Sequence, residues 1–175
     1  MEATYNAELD RLREEGCENP EDYVHDIHTR DLYLEARDKH KIAGPVLEKL
    51  EERGVISKPY PGFDFIVISR DEEWPERCIE LKSSGSNTRR PSISWNEWKS
   101  ARKEDLRETY YLYVATRLEA GQSGDAELIQ IPDPFNTLDS REQTVRTQSR
   151  EVQVKLSQFY PEEGDVIKRP IHWEE

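Results

Sequence analysis

Asp64, Glu80 and Lys82 are the residues whose types and spacing could do chemistry together. Glu80 and Lys82 are two apart, so on a strand both point to one face while Ile79 and Leu81 point to the other. A carboxylate on the neighbouring strand then meets Glu80 within the reach of one divalent cation. Two adjacent carboxylates repel unless a metal or a proton compensates them. Hard oxygen ligands suit Mg²⁺, with Mn²⁺ as a substitute, because such an ion takes few protein carboxylates and keeps waters for a substrate phosphate. Lys82 would place a cation beside the water that attacks phosphorus, orienting it or lowering its pKa. In a chain with 35% charged residues, a D…ExK string also arises from composition alone. The embedding is the stronger signal. Asp64 lies just inside the apolar run Phe63–Ile68, and Glu80 and Lys82 alternate with Ile79 and Leu81, where unpartnered charge is costly.

Positioning these residues takes a hairpin. Phe63–Ile68 reads as a strand buried on both faces, Asp71–Pro75 as a loop, and Arg77–Ser83 as a second, antiparallel strand. A polar loop, Ser84–Pro91, follows. Ser94 and Glu97 fit a capping box, which predicts a helix running to about Arg107. Tyr110–Thr116, aromatic and β-branched, is the clearest strand, and Glu127–Ile131 a short one after a loop at Ala120–Asp125. Upstream, Ala3–Glu15 reads as a helix stopped by Gly16. A second helix is expected from Asn19-Pro20 to about Lys41, with Glu21 and Asp22 in its first turn and Tyr23, Ile27, Leu32 and Leu34 as its apolar residues. Val46, Leu47 and Leu50 mark a short amphipathic helix closed by Gly54. In the tail, Val152, Val154 and Leu156 alternate with polar residues as an edge strand would, and Trp173 is expected to dock the C-terminus. The order predicts an α/β (α+β) fold.

Composition narrows the partners. The chain of 175 residues carries 25 Lys and Arg against 37 Asp and Glu, a net charge of −12. The acid excess sits in residues 1–60 (9 basic, 15 acidic) and 119–175 (6 and 12), while 61–118 balance at 10 each. Within 83–103, Arg89, Arg90, Lys99, Arg102 and Lys103 face the single acid Glu97, and there a phosphate backbone could be met. Lys99, Arg102 and Lys103 share one helical face, which is either a phosphate-binding ridge or an ordinary solvated face. Trp95 and Trp98 read as packing residues before base-stacking platforms. His25 and His28, near Asp22 and Asp26, have HxxH spacing but no further ligands, and read as a surface coincidence. No apolar run reaches the ~18 residues of a membrane span. With two cysteines, Cys17 and Cys78, in unrelated settings and no signal-peptide pattern, a reduced cytoplasmic protein is expected.

The segments Gly62–Asp64, Cys78–Lys82, Ile93–Trp98, Tyr110–Val114 and Ile131–Pro134 follow one another at spacings that resemble the NO VEIN C-terminal domain family, a branch of the PD-(D/E)XK nuclease superfamily. The resemblance covers about residues 40–135. It implies a restriction-endonuclease-like core, a central mixed sheet flanked by helices, in proteins often attached to helicases or defence enzymes. It also implies metal-binding roles for Asp64 and Glu80, a catalytic role for Lys82, the backbone carbonyl of Leu81 as a further ligand, and Glu48 as the candidate for an additional acid on the helix before the core strand.

The chain is therefore divided into a helical N-terminal extension (1–41), a nuclease-like core (42–135) and a C-terminal extension with an edge strand (136–175). The expected activity is Mg²⁺-dependent hydrolysis of nucleic acid, DNA before RNA, in a restriction or defence setting. Helicase or other defence subunits and a second copy of the chain are the candidate protein partners. The alternative is a non-catalytic nucleic-acid-binding or protein-interaction module on the same fold, favoured by the acidic surface.

Overall fold

A mixed sheet with helices on both faces positions the candidate residues. The computed structural model describes residues 1–83, 91–116, 127–138, 140–144, 150–154 and 167–170. Its elements run α1 (Glu2–Glu14), a 3-10 turn (Pro20–Asp22), β1 (Val24–Asp26), α2 (Arg30–Lys39), α3 (Ala43–Glu52), β2 (Phe65–Ile68), β3 (Pro75–Ser83), β4 (Ser92–Ser94), α4 (Trp95–Ala101), α5 (Glu104–Arg107), β5 (Tyr110–Thr116), β6 (Glu127–Pro132), α6 (Pro134–Thr137), β7 (Ser140–Thr144), β8 (Arg150–Val154) and β9 (Ile167–Pro170). Among the described residues the main sheet has six strands in the order β1-β2-β3-β5-β6-β9. All its neighbours are antiparallel except β3 and β5, which are parallel. A parallel pair cannot be joined by a tight turn, and the segment carrying α4 and α5 makes the crossover. The architecture is α+β, as expected.

Strand alternation divides the core in two. Ile66, Cys78, Leu112 and Ile131 face a cluster that includes Tyr33, Leu47 and Leu50 of α2 and α3 and Trp98 of α4. Phe65, Val67, Ile79 and Tyr113 face the opposite cluster, covered by Leu9 and Leu12 of α1. All four residues of β2 are buried, as a strand covered on both faces must be. Each such side chain contributes roughly 1.5–3 kcal/mol on burial. Trp98 belongs to this core and Trp95 packs partly buried against it, so both tryptophans are packing residues.

Three expectations are corrected. Asn19-Pro20 does not begin a long helix: after one 3-10 turn, Val24, His25 and Asp26 pair with Val67, Ile66 and Phe65. The open edge of β2 supplies ladder hydrogen bonds that local helix propensity cannot match. Helix resumes only at α2, where the Thr29 hydroxyl caps Leu32 N–H at 3.2 Å. Residues 1–41 thus supply a strand and a covering helix of the main sheet. The helix expected from Ser94 to Arg107 is two helices, because Lys103 turns to an extended conformation (φ −67°, ψ 128°) and its ammonium reaches the carbonyls of Gly54 and Val55 at 2.7 and 2.6 Å. The segment containing Val152 and Val154 is no edge strand: β8 lies between β4 and β7 in a separate three-stranded sheet. An edge strand of the main sheet does come from the C-terminal segment, but it is β9. Leu156, Trp173 and the loop at 120–125 lie outside the described residues.

Candidate functional site

Asp64 is fixed by its backbone before its side chain is considered. Its N–H donates to Ile79 C=O and its C=O accepts from Ile27 N–H, both at 2.8 Å, which ties the start of β2 to β3 on one side and to the end of β1 on the other. The turn leading into it is equally constrained. Gly62 has φ +87°, and a Cβ there would lie 2.4 Å from Ser100 Oγ, so only glycine fits between the turn and α4. Ser100 Oγ donates to Pro61 C=O at 2.8 Å and Tyr110 Oη donates to Gly62 C=O at 2.7 Å.

The side chain of Asp64 reaches β3, where Oδ2 accepts Leu81 N–H at 2.9 Å. In a strand the carbonyl of a residue projects toward the same edge as its N–H, so Leu81 C=O also points past the start of β2, beside Asp64. Glu80 and Lys82 share the face of Cys78. Glu80 is buried (3% exposed), and the Lys82 ammonium lies 2.6 Å from Glu80 Oε1 and 2.8 Å from Glu97 Oε2. Glu97 Oε2 also accepts Ser94 N–H at 2.8 Å, while Ser94 Oγ accepts Glu97 N–H at 3.3 Å, closing the expected capping box.

Two carboxylates, Glu80 and Glu97, therefore hold one ammonium, and a third, Asp64, bears on the same site. Burial pushes Glu80 well above the ordinary carboxylate range; Asp64 and Glu97 add to this, and Lys82 opposes it. Burial also raises Asp64, against the lowering effect of the Leu81 N–H and of Lys82. Burial works to lower Lys82, but Glu80 and Glu97 more than offset it, so its pKa is raised and it stays a cation. The arrangement has a surplus of negative charge that protonation or a divalent cation relieves.

Among the described residues, no group of three or more His, Cys, Asp or Glu side chains is arranged to hold a metal. What the site offers is two desolvated carboxylates, Asp64 and Glu80, with the Leu81 carbonyl. That donor set fits Mg²⁺, which takes one or two carboxylates and completes its octahedron with water and phosphate oxygens.

The other sequence candidates lie elsewhere. Glu48 on α3 has a side chain 55% exposed and accepts from Arg37 at 3.1 Å; no described contact joins it to Asp64 or Glu80. Lys99 and Arg102 are exposed, with the Arg102 guanidinium 5.5 Å over the Phe135 ring, and Lys103 is held by Gly54 and Val55. Arg89 and Arg90 lie outside the described residues. His25 and His28 share no site, and His25 is buried rather than on the surface. Its ring lies 4.0 Å from that of His40, and Nε2 donates to Asp22 C=O at 3.0 Å.

Two site residues escaped the sequence reading. Glu97 was accounted for by the cap alone, and a residue with one evident role gives no signal of a second. His28 Nδ1 pairs with Asp26 Oδ1 at 2.6 Å, and a protonated ring there would lower the pKa of Asp64. That proximity depends on β1, which the helix expectation concealed.

The family model described as Protein NO VEIN, C-terminal matches residues 2–129, from the first helix into β6. No curated protein and no solved structure gives a match.

Proposed function

The chain belongs to the Protein NO VEIN C-terminal family, and from that premise we propose that it is a metal-dependent nuclease of the PD-(D/E)XK branch, hydrolysing phosphodiester bonds of nucleic acid, with DNA as the substrate. The observation that carries this reading is the convergence of Asp64, Glu80 and Lys82 at one half-buried place on the sheet, with negative charge in excess. A divalent cation bound there supplies Lewis acidity toward a phosphoryl oxygen and lowers the pKa of a water. Asp64, Glu80 and the Leu81 carbonyl are the groups that would hold it. Lys82 stays protonated because of its carboxylate neighbours, and its charge, screened little in a half-buried site, is placed to stabilise negative charge building on the phosphate.

Restriction or defence is the proposed setting, in the cytoplasm, with helicase or other defence subunits or a second copy of the chain as protein partners. No helix among the described residues is long and apolar enough to cross a membrane. One observation favours the non-catalytic module: the net charge is −12, and Arg102 and Lys103 spend their charge on contacts within the chain. One experiment separates the two. Purified protein is incubated with plasmid, linear duplex and single-stranded DNA, and with RNA, in Mg²⁺, Mn²⁺ or chelator. Metal-dependent cleavage by the wild type that is lost in Lys82→Ala supports the nuclease. Binding of nucleic acid without cleavage under every condition overturns it in favour of the module.

A further inference from the structure

The Lys82 ammonium is shared between two carboxylates of unequal standing. Glu80 Oε1, at 2.6 Å, belongs to the pair that would hold a cation. Glu97 Oε2, at 2.8 Å, sits on a different element, anchored at the start of α4 by the Ser94 N–H. An ammonium and a divalent cation draw on the same carboxylate charge, so a cation at Glu80 weakens the hold of its Oε1 on Lys82. Released with no partner, a half-buried ammonium would keep its desolvation cost with nothing to offset it. Glu97 removes that problem. Its oxygen is already committed to the Ser94 N–H and to Lys82, and the cap alone does not require a charge, since glutamine serves at this position equally well.

We propose that Glu97 is a positioning residue: it holds the Lys82 ammonium when a divalent cation takes the Asp64–Glu80 carboxylates, so that lysine and cation do not compete. This rests on the metal-dependent reading above and adds to it the residue that makes a cation and Lys82 compatible in one site.

Glu97→Gln keeps the cap and removes the charge, which separates the two roles of Glu97. Mn²⁺ alone is titrated calorimetrically into wild type, Glu97→Gln, Lys82→Met and the double variant, with circular dichroism to check folding. Lys82→Gln replaces Lys82→Met if the latter does not fold. In the expected result, Glu97→Gln folds as wild type and binds Mn²⁺ about tenfold more weakly, the usual scale for losing a residue that orients a metal site. Lys82→Met binds at least as tightly as wild type. In the Lys82→Met background, Glu97→Gln has no further effect, because its role passes through the lysine. Equal weakening in both backgrounds overturns the proposal by making Glu97 a direct contributor to cation binding. Unchanged binding in Glu97→Gln overturns it by leaving only the cap. Mn²⁺ binding in the wild type with either pattern leaves the metal-dependent reading standing; no Mn²⁺ binding in the wild type removes both.

Discussion

At the scale of single residues, the two acids of the site are not equivalent, and the difference lies in one hydrogen bond. Asp64 Oδ2 satisfies the Leu81 N–H, whereas the partner of Glu80 is the Lys82 ammonium. Glu80→Gln removes a buried charge that burial and two neighbouring carboxylates disfavour, so its denaturation midpoint at neutral pH without metal should rise above that of the wild type. Asp64→Asn keeps an acceptor for Leu81 and should hold its stability. Asp64→Ala strands that N–H and should cost about 1–3 kcal/mol. Urea denaturation of the three variants checks this ordering, with Mn²⁺ affinity measured beside it. A fall in the midpoint of Glu80→Gln as large as that of Asp64→Ala would show that Glu80 stabilises the fold as a carboxylate.

At the scale of elements, legibility followed how local the cause was. The hairpin of β2 and β3, the capping box and β5 rest on neighbouring residues, and all three stand where the sequence placed them. Asp64, Glu80 and Lys82 could be read for the same reason, since alternation along β3 and pairing with β2 decide their common place. β1 could not be read, because Val24–Asp26 is extended only where β2 offers an edge to pair with. β8 was legible as a strand, but its central place depends on β4, which pairs with it across a long stretch of sequence, as well as on the adjacent β7. Glu97 joins the site only because α4 packs over β3. The cap that orients this helix gives a measurable expectation: Ser94→Ala should lower stability by about 1 kcal/mol. It should also loosen Glu97, because the capping box is reciprocal. A chemical denaturation midpoint equal to that of the wild type would show that tertiary packing alone fixes the start of α4.

At the scale of the whole molecule, stability and pH are linked through groups buried in the wrong protonation state for water. Glu80 favours its protonated form in the fold, so its contribution grows as pH falls and is lost as pH rises through its raised folded pKa. His25 works in the opposite direction. Burial, with the His40 ring adding to it, pushes His25 from 6.5 down to about 4, and its contact with the Asp22 carbonyl only partly resists this. Above about pH 6.5 the imidazole is neutral in the folded and the unfolded chain, and it imposes no pH dependence. Between about pH 6.5 and pH 4 the unfolded chain takes up a proton that the folded chain refuses, so stability drains away as the pH falls. At about 1.4 kcal/mol per pH unit, the loss from this one residue reaches the order of 3 kcal/mol by pH 4. His25→Gln keeps a donor for the Asp22 carbonyl and removes the titration. Urea denaturation of both proteins at pH 7, 6, 5 and 4 should therefore show the difference in stability moving steadily in favour of the variant as the pH falls. Parallel curves would mean that His25 is protonated in the folded state as readily as in the unfolded one.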